Sequence, residues 1–170
     1  MTSNFIHCIC GPIAAGKSTR ARDLAEDTRA VRFAIDEWMH GLYGPDRPEV
    51  LAMGWVAPRL ARCHEMIWSV ASQVLACGRD VVLELGLMTH AEREAFRARA
   101  MAAGFRIKMH FLDAPRDVRA ARVAQRNLER GETFSFEVTP AMFDFMEARY
   151  EGPSARERLE AASLIGGCGD

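Results

Sequence analysis

Short apolar runs alternate along the chain with longer stretches of mixed polarity. Four runs read as strands: residues 5–10, 31–35, 80–85 and 105–112. Each is followed by polar or helix-starting residues, as expected of parallel strands covered on both faces. Helices are expected between and after them, at about 17–28, 58–76, 89–103, 115–131 and 139–150. Local signals support these ends. Pro58 and Pro115 suit a first helical turn, Thr89-His90-Ala91-Glu92 reads as a capping box, and Gly78 and Gly104 stand just past helix ends. Residues 161–165, before Gly166-Gly167, offer a fifth strand. The β-α alternation predicts a three-layer α/β/α fold with a doubly wound parallel sheet, whose strand C-termini carry the functional loops.

Composition narrows this picture. The chain has 170 residues, 49% of them hydrophobic, enough for one well-formed core. The formal net charge of −1 asks for neither nucleic acid nor an anionic membrane. Of the 22 basic residues only Lys17 and Lys108 are lysine. Cys8, Cys10, Cys63, Cys77 and Cys168 form no C-x-x-C pair and suit free thiols in a reducing compartment. Cys8-x-Cys10 lies inside the first strand and is expected to offer poor metal-ligand geometry. The N-terminal apolar run is cut by Gly11 and Pro12 and followed by Lys17, so neither a signal peptide nor a membrane span is expected, and the location is cytoplasmic.

The segment Gly11-Pro12-Ile13-Ala14-Ala15-Gly16-Lys17-Ser18-Thr19 fits the phosphate-loop pattern G-x-x-x-x-G-K-[ST]. Gly11 and Gly16 permit a tight turn, so that successive backbone N–H groups, those of Ala14 and Ala15 among them, form a cup for a triphosphate. Lys17 reaches the β- and γ-phosphates, the Ser18 hydroxyl is placed for Mg²⁺, and the helix that follows adds its positive end. The strand before and the helix after are the required context. Nucleoside triphosphate binding follows.

Two further strand ends carry carboxylates. Asp36 follows the second strand, where it could orient an acceptor hydroxyl and take its proton, or cap a helix. Glu84, near the end of the third, could hold Mg²⁺ through water, contact the acceptor, or form a strand-end salt bridge. Arg116, Arg119, Arg122, Arg126 and Arg130 recur at three- and four-residue spacing. Such a stripe is a solvated helix face or, in a phosphoryl-transfer site, a source of cations for the transferring group. Arg122 and Arg126 lead into the polar stretch Arg130-Gly131-Glu132-Thr133, a candidate lid. The region between Asp36 and Asp80 gathers Trp38, Tyr43, Trp55, Arg59, Arg62 and Trp68, with His40 and His64. It has the composition of an acceptor pocket, with Asp36, Trp38, Arg59, Arg62 and Glu84 as its candidate contacts. Trp68, deep in the long helix, reads as core, and the two histidines as structural. An N-K-x-D motif is absent, which argues against a GTPase.

Taken together, Gly11 to Thr19, Phe33-Ala34-Ile35-Asp36-Glu37-Trp38, Asp80-Val81-Val82-Leu83-Glu84 and Arg119-Ala120-Ala121-Arg122-Val123-Ala124-Gln125-Arg126-Asn127 resemble the small P-loop kinases. The similarity is strongest to the branch containing chloramphenicol phosphotransferase, zeta-toxin kinases and gluconate-kinase-like proteins, and it covers about residues 5–150. The resemblance implies a five-stranded parallel sheet of order 2-3-1-4-5 with ATP and Mg²⁺ as co-substrates. It also implies that Asp36 activates the acceptor and that Arg122 and Arg126 clamp the phosphates. Glu84 departs from the usual Asp, and the tail after Tyr150 is short and Gly-rich. The expectation is one kinase domain over residues 1–170, with an acceptor region at 36–79 and a lid at 116–138. It would transfer phosphate to a hydroxyl of an antibiotic, sugar or nucleoside-like metabolite. A toxin-type nucleotide or nucleotide-sugar kinase and an ATPase switch are the alternatives.

Overall fold

The computed structural model describes residues 4–49, 52–131 and 137–163. Four parallel strands, β1 (Phe5–Cys10), β2 (Val31–Ala34), β3 (Val81–Glu84) and β4 (Arg106–Phe111), form a sheet of order β2-β3-β1-β4. Around it in chain order lie α1 (Lys17–Thr28), α2 (Ile35–Tyr43), α3 (Met53–Ala76), α4 (His90–Ala102), α5 (Arg116–Glu129), α6 (Pro140–Arg149) and α7 (Ala155–Ser163). The three-layer P-loop fold is therefore present, with the expected order for its four strands. The fifth strand is not seen among the described residues. Ala161 to Ser163 belong to α7 instead, and Leu164 and Ile165 lie outside the described residues, as do Glu132 and Thr133 of the candidate lid.

Alternation along the strands divides the core. Ile6, Cys8 and Cys10 join Phe33, Val81 and Leu83 on one face of the sheet, under Cys63, Ile67 and Ala71 of α3 and Ala100 of α4. On the other face Ile9 and Val82 pack against Ala21 and Leu24 of α1. A third cluster, Ile13, Val123, Val138 and Phe143, joins the phosphate loop to α5 and α6. Burying these side chains supplies the main drive for folding, at roughly 1.5–3 kcal/mol for each large aliphatic or aromatic group.

Several boundaries depart from the sequence reading. The second strand stops at Ala34, and Ile35 begins a helix whose inner stripe is Ile35, Trp38, Met39 and Tyr43, at the three-to-four spacing of an amphipathic helix. The long helix starts at Met53, so Pro58 lies inside it instead of opening it. Thr89 and Glu92 do form the capping box of α4, and Thr139 caps α6 by accepting from the Met142 N–H. Cys8 and Cys10 stand two apart on a strand and so share a face, with Sγ atoms 3.8 Å apart. Among the described residues there is no group of three or more His, Cys, Asp or Glu side chains suited to a metal, and no helix long and apolar enough to cross a membrane.

Candidate active site

The phosphate loop connects β1 to α1 in a conformation that its residue types explain. Gly16 has φ of 92°, in the left-handed region that glycine enters without strain. A Cβ on Gly11 would sit 2.5 Å from the Leu112 carbonyl oxygen, so only glycine lets the loop pass the end of β4. Ala14 also takes a left-handed φ of 58°, which costs energy in an L-residue and marks the loop as held by its surroundings. The holding group is Arg119. Its Nη1 donates to the Ile13 carbonyl at 3.3 Å, its Nε to the Ala114 carbonyl at 2.7 Å, and its two terminal nitrogens grip Glu147 at 2.6 and 2.7 Å.

Lys17 folds back into the cup, where Nζ donates to the carbonyls of Gly11 at 2.9 Å and Pro12 at 2.7 Å. Burial lowers its pKa, against the pull of Asp36 and Glu84. Ser18 donates its hydroxyl to Oε2 of Glu84 at 2.9 Å. Thr19 is exposed, while Ala15 is buried and Ala14 half-buried.

Asp36 is the second residue of α2, in its first turn, and the N-cap position belongs to Ala34 with no side-chain cap. The helix-cap alternative for Asp36 is thus excluded. Asp36 is exposed as a residue, yet the protein around it partly desolvates its carboxylate. That desolvation raises its pKa, while the charges of Lys17 and Arg126 oppose the rise. Arg126 is likewise depressed by desolvation, with Asp36 acting against it, and its Nε is buried without a hydrogen-bond partner. Lys17, Asp36 and Arg126 therefore share one electrostatic neighbourhood.

The arginines of the stripe divide by their contacts. Arg122 donates from Nη1 to the Ala14 carbonyl at 3.2 Å and lies over the phosphate loop, with Arg126 one turn further along. Arg119 is a buried brace, and Arg116 pairs with Asp144 at 2.6 Å on the surface. The cavity of about 310 Å³ between α5 and α6, lined by Ala120, Val123, Ala124, Val138 and Phe143 among others, touches none of Lys17, Asp36, Glu84, Arg122 or Arg126.

On the acceptor side Trp38 is half-buried, its ring 6.3 Å from that of Phe33 and packed on the core. Arg59 lies with its guanidinium carbon 4.2 Å from the Trp55 ring centre and 5.5 Å from that of Tyr43, and donates to the Trp55 carbonyl at 2.9 Å. Arg62 is exposed and makes no ion pair with another described residue. Trp68 packs edge-on against Phe96 and Phe105 as core, and His64 bonds the Leu85 carbonyl at 3.0 Å. Glu84 takes up the strand-end salt bridge and the bond to Ser18 together, accepting from Arg32 Nε at 2.8 Å. The Ser18 hydroxyl and the Glu84 carboxylate it touches are both oxygen donors, the ligand type Mg²⁺ prefers. Arg32 escaped the sequence reading, and Arg119 was read only as a member of the arginine stripe, because each finds its carboxylate only through the fold.

Residues 6–153 match the AAA domain family. No curated protein sequence matches the chain. Among solved structures, a protein of Chloroflexus aurantiacus j-10-fl superposes with a TM-score of 0.71 at 16% identity, covering 96% of this chain and 95% of the other. Chaetomium thermophilum Kti12 in complex with ADP-AlF3 gives 0.64 at 16% identity, over 97% and 100%. A gluconokinase from Sinorhizobium meliloti 1021 gives 0.59 at 16% identity, over 98% of each chain. At such identities the likeness is one of fold.

Proposed function

We propose that this chain, which belongs to the AAA domain family, is an ATP-dependent kinase that moves the γ-phosphoryl group to a hydroxyl of a small molecule. The observation that carries the reading is Asp36. It is a carboxylate just past the end of β2 whose pKa is raised by desolvation, in the field of the phosphate-loop Lys17 and of Arg126. A base for an acceptor hydroxyl belongs at that place, and raised proton affinity improves its match to neutral pH.

Phosphoryl transfer asks the protein for position and charge more than for covalent chemistry. The phosphate-loop amides and Lys17 would hold the β- and γ-phosphates, so Lys17 would exchange its contacts with Gly11 and Pro12 for the nucleotide. Ser18 would hold Mg²⁺, which would neutralise phosphate charge. Arg122 and Arg126 would meet the transferring group, Arg126 with an Nε that now lacks a partner. Residues 36–79, with Trp38, Arg59 and Arg62, would form the acceptor side. The gluconokinase among the structural neighbours supports a hydroxylated acceptor. No membrane or nucleic acid is invoked, and the reaction belongs to the cytoplasm.

The deciding experiment incubates the protein with ATP, Mg²⁺ and pooled sugars, nucleosides, nucleotide-sugars and hydroxylated antibiotics, and reads each acceptor by mass. One acceptor gaining a phosphoryl group establishes the kinase and names its substrate. Steady ATP hydrolysis with no acceptor modified would replace this reading by that of an ATPase switch.

A further inference from the structure

Arg32 sits on β2 two residues before Ala34, and Ala34 is in register with Glu84 on β3. Residues two apart on a strand face the same way, so Arg32 and Glu84 are diagonal neighbours on the α1 face of the sheet, within reach of a long side chain. The contact is made: Nε of Arg32 lies 2.8 Å from Oε1 of Glu84. The other end of the guanidinium reaches Glu37, with Nη2 2.6 Å from Oε1 and Nη1 3.3 Å from Oε2. Glu84 gives its remaining oxygen, Oε2, to the Ser18 hydroxyl at 2.9 Å. A continuous chain thus runs Ser18–Glu84–Arg32–Glu37, from the metal-side hydroxyl to the residue beside Asp36.

Resting on the kinase reading, we infer that Arg32 is a positioning residue that sets the metal-side hydroxyl and ties it to the first turn of the helix bearing Asp36. Each oxygen of Glu84 is engaged, so its task is to accept from Ser18 and hold that hydroxyl in one orientation. Arg32 keeps Glu84 at that task. It is half-buried and the fork of its guanidinium is rigid, so it fixes two carboxylates at once, which a flexible ammonium cannot do. The longer reach of Glu over Asp acquires a reason as well: one carboxylate must span Ser18 in α1 and Arg32 on β2. Partners of metal-side ligands commonly matter to metal affinity almost as much as the ligands themselves.

The test uses the whole protein and a fluorescent N-methylanthraniloyl-ATP probe, titrated in EDTA and again in Mg²⁺. The ratio of the two dissociation constants measures metal coupling without any turnover. Arg32→Lys keeps the charge and removes the fork. It should lower that ratio about tenfold, as loss of an outer-shell partner does, and leave probe affinity in EDTA within about twofold. A folded Arg32→Lys protein with the wild-type ratio would overturn the assignment and leave Arg32 a structural ion pair. Should that variant fail to fold, Glu37→Gln frees the exposed end of the fork. It should lower the ratio in the same direction, and an unchanged ratio there overturns the assignment equally. The two readings fail differently. An unaltered protein that does not bind the probe removes the ATP-dependent reading, whereas normal metal coupling in the unaltered protein and in Arg32→Lys removes only the role of Arg32.

Discussion

The Ser18 hydroxyl donates to Glu84 Oε2 at 2.9 Å across a sequence separation of 66 residues. The contact exists because β3 lies beside β1 in the sheet, which brings the end of β3 next to the first turn of α1. Glu84→Ala removes the acceptor of that bond and leaves Arg32 without one of its two carboxylates. Measured by thermal unfolding and by ATP turnover, the variant should lose about 1–3 kcal/mol of stability, the usual penalty for a buried polar group left unpaired. It should also require more Mg²⁺ for half-maximal rate. A protein with unaltered Mg²⁺ demand would reduce Glu84 to a salt bridge.

Lys17→Ala removes the cation of the phosphate cup. The rate of phosphoryl transfer should fall by about 10²–10³ or more, the scale of losing one preorganised charge aimed at a transition state. The loop itself should survive, because Arg119 and Ile13 hold it from the other side. Near-normal turnover in a folded Lys17→Ala protein would end the kinase reading.

What the sequence made legible was local. The phosphate loop is nine consecutive residues whose backbone and side chains carry their own chemistry, and the capping box at Thr89 is four. The carboxylates Asp36 and Glu84 could be found because strand ends in this fold line the site. The helix α2 was missed although its stripe Ile35, Trp38, Met39 and Tyr43 has helical spacing. The run Phe33-Ala34-Ile35 reads as continuing apolar strand, and nothing at Ala34 offers a cap. Arg32 had no local signal, and the stripe that contains Arg119 did not show that it is a brace. Their partners Glu84 and Glu147 stand 52 and 28 residues away, and only the sheet register and the packing of α5 on α6 bring them together. The fifth strand rested on a short apolar run whose first residue, Ala161, is helical.

The arginines of α5 should separate in their effects. Arg119→Ala leaves Glu147 with only the longer contact to Arg116 and releases the Ile13 carbonyl, so thermal or urea unfolding should show a loss of about 3 kcal/mol, as for breaking a buried ion pair. Arg122→Ala and Arg126→Ala touch no such brace. They should lower kcat more than ATP affinity, because clamps on the transferring group act mainly in the transition state. If Arg122→Ala and Arg126→Ala lose stability alone, the arginine face is a solvated surface.

His110 on β4 faces His7 on β1, with ring nitrogens 3.0 Å apart. Desolvation first, then His7, Lys108 and Arg20, push the His110 pKa down from 6.5 to about 4, and His7 is lowered as well despite Asp80. A histidine depressed in the folded state takes up its proton more readily when unfolded. Stability should therefore fall as pH drops below about 6.5, with the His110 share of the loss complete near pH 4. His110→Gln retains a hydrogen-bonding group and removes the titration, so its stability should vary less over that window. Urea midpoints at several pH values decide the matter, and parallel pH profiles for the two proteins would assign the acid loss elsewhere.

Asp36→Asn keeps the shape of the side chain and removes the base. Since Asp36 caps nothing, the substitution should not disturb α2 through its end. Removing the carboxylate also relieves the attraction it exerts on Lys17 and Arg126. Nucleotide binding should then hold or tighten slightly, the anion meeting a more positive cup. Acceptor phosphorylation should fall by about 10²–10⁴, the range for loss of a general base. The pH profile separates base from bystander. A carboxyl with raised proton affinity gives the unaltered enzyme an acid limb lying above the ordinary Asp range, because transfer needs the ionised form, and Asp36→Asn should lose that limb along with the rate. An Asn variant that works at the normal rate, with the same acid limb, would return the proton to another acceptor, and Glu84, beside Ser18, is the next carboxylate to test.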